Sequence, residues 1–299
     1  MFFPALQNIR LDSLKNLYQT NKVEIDVLRL DLIHKVISGN KWFKLKEYLH
    51  HASIENKNTI LTFGGAYSNH IIATAAACRE SKLQSIGIIR GEKPQILSHT
   101  LIAAEAYGME LFYTSRYDYK AKIIPETVWN KYPKDTVLII NEGGYGLPGR
   151  MGAATISNYV KTSGYTHLLA AVGTGTTLAG LISSFHVANV IGIPVMKNNN
   201  SLQQEINTLL PESLHNMFNL IHDYHFGGYA KSTKELFQFM NEWFTNTNIP
   251  SDFVYTGKLF YAADHLIKSG YFRPGSKLLL IHSGGLQGNL SLPKGTLIF

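Results

Sequence analysis

A lysine follows a Gly-Asn pair at the start of a predicted helix, in the segment 38–46 (SGNKWFKLK). The first N–H groups of a helix have no intrahelical partner, and the helix dipole adds a positive potential there. Both effects lower the cost of deprotonating the amine of Lys41, and a neutral amine is the nucleophile that Schiff-base chemistry requires. A basic helix start on the protein surface would contain the same residues, so this segment alone leaves both interpretations open.

A second candidate segment, 63–70 (FGGAYSNH), joins a predicted strand to a predicted helix through a tight turn. Ser68 is a suitable N-cap, and the free N–H groups beside it form an anion site that suits a carboxylate. An N-cap without a ligand is the alternative interpretation. The segment does not match the Gly-x-Ser-x-Gly nucleophile elbow, which argues against a hydrolase.

A third segment, 172–180 (VGTGTTLAG), follows directly on an apolar predicted strand. Its glycines let the backbone approach a phosphate, and its threonine hydroxyls add donors at a helix N-terminus. The third glycine falls too late for Gly-x-Gly-x-x-Gly, and no Gly-Lys-Ser/Thr follows, so a dinucleotide site and a P-loop are disfavoured. A phosphate site without a nucleotide motif indicates a small phosphorylated cofactor.

Two further segments, 252–258 (DFVYTGK) and 281–285 (IHSGG), each place hydroxyl residues beside glycine at the end of a predicted strand. Each of them alone is also typical of ordinary turns and caps. In open parallel sheets, ligands bind at the carboxyl ends of the strands. Several such segments in one chain therefore favour a common binding site over independent turns.

Short β-rich runs alternate with longer helical runs along the chain, which predicts βαβ units with parallel sheet and an α/β fold. The predicted strands span 27–30, 59–63, 85–90, 110–113, 137–141, 167–173, 190–195, 253–255 and 277–282. The predicted helices begin near residues 40, 68, 97, 121, 155, 175, 202, 232 and 257. The apolar runs 168–172 and 278–281 predict central strands that are buried on both faces.

The chain has 299 residues, of which 45% are hydrophobic and 16% charged, a composition that excludes disorder, collagen and coiled coil as the main architecture. No stretch of the sequence reaches 18 consecutive apolar residues, so no membrane-spanning helix is predicted. The N-terminus lacks the apolar core of a signal peptide, and we therefore expect a cytoplasmic protein. The formal net charge is +7, but the lysines are scattered and no nucleic-acid motif accompanies them. Nucleic acid is therefore not an expected partner.

The chain offers few metal or disulfide candidates. Cys78 is the single cysteine, which excludes an internal disulfide and a multi-cysteine zinc site, and we expect it to pack as a small hydrophobe. His222 and His225 could share a helix face, but the preceding run 218–221 is strand-like, which would put them on opposite faces. We therefore expect no metal site.

Five motifs occur in order: Gly-Asn-Lys-x-x-Lys-Leu, Gly-Gly-x-x-Ser-Asn-His, Gly-Thr-Gly-Thr-Thr-x-Ala-Gly, Tyr-Thr-Gly-Lys and His-Ser-Gly-Gly. Together they resemble the pyridoxal-phosphate-dependent family of 1-aminocyclopropane-1-carboxylate deaminase and D-cysteine desulfhydrase, from Arg29 to Gly285. The resemblance implies a fold-type-II enzyme with two open, twisted, mostly parallel sheets flanked by helices. It also implies a larger cofactor-binding domain (1–43 and 153–299), a smaller domain (44–152) and a homodimer.

The resemblance also implies a set of site residues for pyridoxal phosphate and a small amino-acid substrate. Lys41 would form a Schiff base with the cofactor and later move the substrate Cα proton. Tyr255 would be a catalytic tyrosine beside the cofactor ring. Ser68, also catalytic, would hold the substrate carboxylate with His70, and Asn69 would contact both the cofactor O3′ and the substrate. The remaining cofactor-binding residues would be Lys44, Gly173, Thr174, Gly175, Thr176, Thr177, Thr256 and Ser283.

Three positions depart from the family's usual pattern. Thr256 stands where the deaminases have an acidic residue, Ser38 replaces a common glycine, and Ser283 stands where a desulfhydrase usually has threonine. A carboxylate beside the pyridine nitrogen would keep it protonated and strengthen the electron sink that ring opening needs. A neutral hydroxyl is sufficient for eliminating a good leaving group from Cβ. Whether Thr256 or Ser283 faces the pyridine nitrogen stays open.

The departure at Thr256 favours one function among several, whereas those at Ser38 and Ser283 leave the natural substrate open. The prediction is α,β-elimination of D-cysteine, or a similar small D-amino acid, to pyruvate, ammonia and sulfide. The alternatives are a 1-aminocyclopropane-1-carboxylate deaminase, a non-catalytic homologue that binds pyridoxal phosphate or an amino acid, and a nicotinamide oxidoreductase.

Overall fold

The computed structural model describes residues 4–161, 163–185 and 189–299. Within these residues the β-strands are β1 (Arg10–Ser13), β2 (Glu24–Arg29), β3 (Thr59–Gly64), β4 (Gln84–Arg90), β5 (Met109–Thr114), β6 (Val137–Ile140), β7 (His167–Val172), β8 (Asn189–Pro194), β9 (Asn219–Leu220) and β10 (Lys277–His282). The α-helices are α1 (Asn40–Ile54), α2 (Asn69–Glu80), α3 (His99–Ala106), α4 (Arg116–Lys120), α5 (Glu126–Lys131), α6 (Leu147–Ala154), α7 (Thr176–Ser184), α8 (Leu202–Thr208), α9 (Lys234–Thr247) and α10 (Thr256–Lys268).

The strands form two sheets. A six-stranded sheet has the order β1-β2-β10-β7-β8-β9, and a four-stranded sheet has the order β5-β4-β3-β6. Every strand pair is parallel except β1 with β2. The first sheet uses strands from both ends of the chain and the second uses the middle. This arrangement confirms the predicted α/β class with two mostly parallel sheets.

Strand β10 lies at the centre of the larger sheet and joins the two ends of the chain. Its residue Leu280 is aligned with Val27 of β2 on one side and with Leu169 of β7 on the other. Leu278 and Leu280 pack in a core with residues of α9 and α10, whereas Leu279 packs in a core with residues of α1 and α7. All three leucines are fully buried, as the apolar run predicted.

One predicted strand is wrong. Residues 253–255 form turns, and α10 begins directly after them at Thr256. The Asp252 carboxylate accepts three successive backbone N–H groups, those of residues 254–256, at 2.9–3.0 Å. This local capping turns the chain into a helix start, although the side chains in the segment favour β structure.

Some helix boundaries also differ from the prediction. Two short helices, α4 and α5, lie on either side of residue 121, where one helix was expected. Helix α6 begins before residue 155, and a 3₁₀ turn follows over Thr155–Tyr159. Gly146 before α6 and Pro148 in its first turn are the start signals that the periodicity did not reveal. The edge strand β1 was not predicted, and it is short and largely exposed.

The residues considered for metal and disulfide chemistry have structural positions. Cys78 is fully buried in the core beside α1, which confirms its packing role. His222 lies in a 3₁₀ turn over His222–Tyr224 rather than in extended chain, so the expected alternation of faces is wrong there. Across the described residues, no group of three or more His, Cys, Asp and Glu side chains could hold a metal ion. No helix in these ranges has the length and apolar character needed to cross a membrane.

Candidate active site

A cavity of about 720 Å³ opens at the carboxyl ends of β3 and β7, where α1, α2 and α7 begin. This volume is within the usual range for small-molecule and cofactor sites. Segments far apart in the sequence meet on its wall. The predicted site residues that line it are Lys41, Lys44, Ser68, Asn69, His70, Gly173, Thr174, Gly175, Thr176, Thr177 and Tyr255.

Two predicted cofactor-binding residues do not line this cavity. Thr256 is fully buried, and its hydroxyl donates to Asp252 Oδ1 and accepts from the Asp252 N–H, each at 2.8 Å. Ser283 is also buried, and its carbonyl oxygen accepts a hydrogen bond of 3.2 Å from the backbone N–H of Asn40. Both residues therefore lie behind the wall, where they support the segments that form it.

Lys41 lies at the first turn of α1, with 6% of its surface exposed. Its Nζ donates to Asn40 Oδ1 at 2.7 Å and lies 5.5 Å from the centroid of the Tyr255 ring. Burial lowers the pKa of Lys41 to about 8, although the Asp252 carboxylate opposes the shift. A substantial fraction of this amine is therefore neutral at mildly alkaline pH, as covalent catalysis by a lysine requires.

The chain before Lys41 packs directly on the end of β10. Gly39 has φ +61°, and a Cβ there would lie 2.0 Å from the carbonyl oxygen of Ser283. Gly284 has φ +72°, and a Cβ there would lie 2.3 Å from Ser38 Oγ. Only glycine fits either position, because both the left-handed backbone and the close approach exclude a side chain.

Lys44 is a second buried amine on the same face of α1. Its Nζ donates a short hydrogen bond to the carbonyl oxygen of Gly143. Burial, together with the nearby charge of Lys41, lowers the pKa of Lys44 to about 7. A Cβ on Gly143 would lie 2.8 Å from Thr174 Cγ2, so the amine lies beside the loop that precedes α7.

That loop ends at Gly175, the N-cap of α7, with φ +79° and no side-chain cap. The first N–H groups of α7 are therefore available to an anion, and the helix dipole favours negative charge there. Hydroxyl groups surround this position, with Thr174 Oγ1 and Thr176 Oγ1 3.2 Å apart. Thr177 Oγ1 accepts a hydrogen bond of 2.8 Å from Asn40 Nδ2, which ties the loop to α1.

The start of α2 is the second helix N-terminus at the cavity. Ser68 caps it by accepting the N–H of Ile71 at 3.4 Å. Asn69 Oδ1 and His70 Nδ1 are buried and make no hydrogen bond within the described ranges. Buried polar atoms are normally paired, and both residues line the cavity, so these two atoms are candidates for contact with a ligand.

The hydrogen bonds around His70 define its tautomer. Its Nε2 lies 2.8 Å from Thr62 Oγ1, and the Thr62 hydroxyl donates to the carbonyl oxygen of Ile140. Thr62 therefore accepts from Nε2–H, because its only proton is used elsewhere. Burial and the charges of Lys44 and Lys41 hold the pKa of His70 well below its ordinary value. The ring is neutral, and its Nδ1 carries the lone pair.

Tyr229 is a cavity residue that sequence reasoning missed. Its ring centroid lies 6.1 Å from that of Tyr255, and the two hydroxyls interact. Burial raises the pKa of both phenols. The sequence contains 16 tyrosines, so only the preceding pair Gly227-Gly228 marked this one. Arg90 and Glu142 also line the cavity and were not predicted.

Comparisons with known proteins agree with this geometry. The family model described as "Pyridoxal-phosphate dependent enzyme" matches residues 4–284. A Pyrococcus abyssi protein, provisionally named 1-aminocyclopropane-1-carboxylate deaminase, is 30% identical over 89% of this chain and 86% of its own length. An Arabidopsis thaliana protein, named bifunctional D-cysteine desulfhydrase/1-aminocyclopropane-1-carboxylate deaminase, is 26% identical over 90% of this chain and 74% of its own length. The solved structure of an ACC deaminase homologue is similar with a TM-score of 0.80 and 25% identity, covering 96% and 93% of the two chains.

The residues at the cavity fit pyridoxal phosphate. Lys41 supplies the buried amine that such a cofactor needs, and the uncapped start of α7 supplies N–H donors for a phosphate. Asn69 lines the same cavity, and its buried Oδ1 makes no hydrogen bond within the described residues, so it could accept one from the cofactor. Family model, relatives and cavity chemistry agree: this chain belongs to the pyridoxal-phosphate-dependent enzymes, within the group of 1-aminocyclopropane-1-carboxylate deaminase and D-cysteine desulfhydrase.

Proposed function

We propose that this lyase catalyses α,β-elimination of D-cysteine, or a similar small D-amino acid, to pyruvate, ammonia and sulfide. Pyridoxal phosphate, when bound, supplies an electron sink for the electron pair left at the substrate Cα. The protein must then hold the cofactor, orient the substrate and move protons. The described residues suggest which groups perform each of these tasks.

Cofactor binding would use groups from three segments. Lys41 would hold the cofactor covalently. The N–H groups and hydroxyls of residues 173–177 would bind its phosphate, with Lys44 as a compensating cation. Asn69 would contact the ring hydroxyl. Behind the wall, Thr256 and Ser283 would support the nitrogen side of the ring.

Substrate binding would use the start of α2. The Ser68 hydroxyl and the nearby N–H groups would hold the substrate carboxylate, because a helix N-terminus favours an anion. His70 would contribute as an acceptor, since its neutral Nδ1 suits a donor such as an ammonium or hydroxyl group better than a carboxylate. This refines the role that the resemblance implied for His70.

Proton transfer would use Lys41 and Tyr255. A lysine with a pKa of about 8 accepts and returns a proton near neutral pH, so its Nζ is suited to act at Cα. The raised pKa of Tyr255 keeps its phenol protonated, so it would donate a hydrogen bond at the reacting atoms.

One observation carries the choice of elimination over ring opening. Thr256 carries a neutral hydroxyl behind the cavity wall, where a deaminase would have a carboxylate. The nearest carboxylate, Asp252, already accepts four hydrogen bonds from its own helix start. The charge of Asp252 is thereby satisfied locally and is poorly placed to strengthen the electron sink. Elimination of a thiolate depends less on electron withdrawal by the cofactor ring, because a thiol with a pKa of about 8.5 is a fair leaving group. The preference for D-amino acids rests on the resemblance and on the name of the Arabidopsis relative.

The test compares initial rates on D-cysteine, L-cysteine and 1-aminocyclopropane-1-carboxylate with the cofactor-loaded enzyme, by oxo-acid and sulfide release. We expect D-cysteine to be the fastest of the three. Dominant ring opening would establish the deaminase alternative. Full cofactor loading without turnover of a panel of small D- and L-amino acids would favour a binding protein.

A further inference from the structure

A buried lysine outside the cavity connects the two tyrosines at its wall. Lys258 lies in the first turn of α10, three residues after Tyr255, and is fully buried. Its Nζ donates hydrogen bonds of 2.8 Å to the carbonyl oxygens of His225 and Gly228. The tyrosine that follows, Tyr229, lines the cavity against Tyr255.

The segment that Lys258 holds, residues 225–230, has an unfavourable backbone. Phe226 has φ 51° and Ala230 has φ 52°, in the left-handed region that costs free energy for residues with a Cβ. Gly227 and Gly228 also have positive φ, at 92° and 119°. A strained turn of this kind persists only where its surroundings hold it in place.

Local contacts hold mainly the first half of the turn. The backbone N–H groups of Gly228 and Gly227 donate to the carbonyl oxygen and to Nδ1 of His225, each at 3.0 Å. The Phe226 ring packs edge-on against Tyr261 of α10, with centroids 4.8 Å apart. Tyr229 itself is 41% exposed, and its ring lies against that of Tyr255. The two bonds from Lys258 bracket the turn between these ends, at residues 225 and 228.

Burial of an ammonium group is costly unless its hydrogen bonds compensate for lost hydration. An apolar side chain of similar length could fill the same space without that cost, but the two carbonyl groups would lose the side-chain donor that joins them. Each would keep one backbone donor, the N–H of Gly228 for His225 and the N–H of Lys231 for Gly228, at 3.0 and 3.1 Å. The Lys258 ammonium group therefore has a role that an apolar residue would not perform, which is to hold these two carbonyl groups in place.

We propose that Lys258 is a positioning residue that holds the carbonyl groups of His225 and Gly228 and thereby fixes Tyr229 against Tyr255 at the cavity wall. The catalytic consequence of this role rests on the proposed function. The structural consequence, an ordered 225–230 turn, does not depend on the substrate.

The first experiment measures backbone hydrogen exchange across residues 225–231 in the cofactor-loaded enzyme. Lys258→Met should increase exchange in this segment by about tenfold or more, because charge-assisted hydrogen bonds are lost. Exchange in the second half of α10 should stay within twofold. Lys268→Met is the matched control, since Lys268 is on the same helix, with 66% of its side chain exposed, and pairs with Asp264.

The second experiment is a double-mutant cycle on turnover with Tyr229→Phe. If Lys258 acts through Tyr229, each variant lowers kcat and the double variant is no slower than the slower single variant. Lys258→Gln, which keeps N–H donors on a shorter chain, should restore part of both the exchange protection and kcat. It also serves as the test variant should Lys258→Met fail to fold.

Wild-type exchange in the 225–230 turn of a folded Lys258 variant would overturn the proposal. The proposal would also be overturned if the loss of kcat in the double variant equalled the product of the losses in Lys258→Met and Tyr229→Phe. The exchange measurement needs no substrate, so absence of D-cysteine turnover would contradict the proposed function while leaving this inference testable on its own.

Discussion

Asn40 connects Lys41 to Thr177, a residue 137 positions later in the chain. Its amide Nδ2 donates a hydrogen bond of 2.8 Å to Thr177 Oγ1, and its Oδ1 accepts one of 2.7 Å from Lys41 Nζ. The Thr177 hydroxyl oxygen thus has its donor, and its own proton remains available for an anion at the start of α7. One asparagine side chain therefore couples the reactive amine to the predicted phosphate site.

Lys41 should be the lysine that binds pyridoxal phosphate covalently. Lys41→Ala should abolish the visible absorbance of the covalently bound cofactor and the mass added to the Lys41 peptide by borohydride reduction. The fold should persist, because Lys41 lines a cavity and its removal leaves no unpaired charge; circular dichroism checks this. Lys44→Ala should retain the covalent adduct. Loss of the adduct in Lys44→Ala but not in Lys41→Ala would show that the assignment is wrong.

Thr177→Val should weaken cofactor binding and leave the fold intact. The substitution removes one donor to a charged oxygen, a loss of about 1.5–3 kcal/mol, or tens-fold in affinity. Equilibrium titration of the apoprotein with pyridoxal phosphate measures the change. Ser183→Ala is the control, because Ser183 is on the same helix and its hydroxyl donates to Ala179 in the preceding turn. Unchanged affinity in Thr177→Val would place the phosphate elsewhere.

Phosphate binding should take up a proton at Lys44. Burial and the charge of Lys41 lower the pKa of Lys44 to about 7, so the amine is mostly neutral at pH 8, whereas a bound dianion favours the ammonium form. The affinity of the apoprotein for inorganic phosphate should therefore fall as the pH rises above 7, by up to about tenfold per pH unit. Calorimetry in two buffers of different ionisation enthalpy measures the uptake. Proton uptake should vanish in Lys44→Met and persist in Lys46→Met. Uptake that survives in Lys44→Met would assign the proton to another group.

Reaction preference should respond to charge at position 256. Thr256→Glu should raise the ratio of ring opening to D-cysteine elimination by about tenfold, since a carboxylate strengthens the electron sink. Thr256→Gln is the matched uncharged variant and should leave the ratio near the wild-type value. Both rates are measured on enzyme whose cofactor content is equal by absorbance. A ratio that Glu leaves unmoved would contradict the argument from Thr256.

The buried ion pair between Arg29 and Asp31 should be important for stability. Arg29 binds Asp31 through two hydrogen bonds of 2.7 and 2.8 Å, and Asp31 lies 3.4 Å from His282 Nδ1. Asp31→Asn should lower the free energy of unfolding by about 3–5 kcal/mol, because it leaves the guanidinium partly uncompensated. Urea denaturation measures the loss, and Asp12→Asn, which removes a more exposed partner of Arg29, should cost less.

The Arg29–Asp31 pair should also make the stability of the protein depend on pH. Burial alone would raise the pKa of Asp31, but His282 and Arg29 outweigh it and hold that pKa below its ordinary value. A carboxyl with a lowered folded pKa stabilises the protein above its unfolded pKa of about 4, and this contribution disappears as the pH falls through the folded value. Wild type should therefore lose more stability than Asp31→Asn on acidification below pH 4, as measured by urea denaturation at each pH. Equal losses in the two proteins would contradict the assignment.

Local sequence determined the elements that carry the chemistry. Strand–helix alternation predicts the α/β class, and the apolar run of β10 predicts a strand buried on both faces. Gly39, the Ser68 cap and the glycines of the loop before α7 were identified because turn and cap preferences act within a few residues. The same locality explains the failure at 253–255, where capping by Asp252 outweighed the β-favouring side chains.

Only the tertiary structure decided which groups face the cavity. The position of β10 between β2 and β7 packs Ser283 behind Gly39, and the turn held by Lys258 brings Tyr229 to Tyr255. These contacts join residues from 26 to more than 200 positions apart, and no local preference encodes them. They follow from strand order and from the burial of apolar faces, which are properties of the whole chain, because a side chain's surroundings exist only once the sheets have assembled.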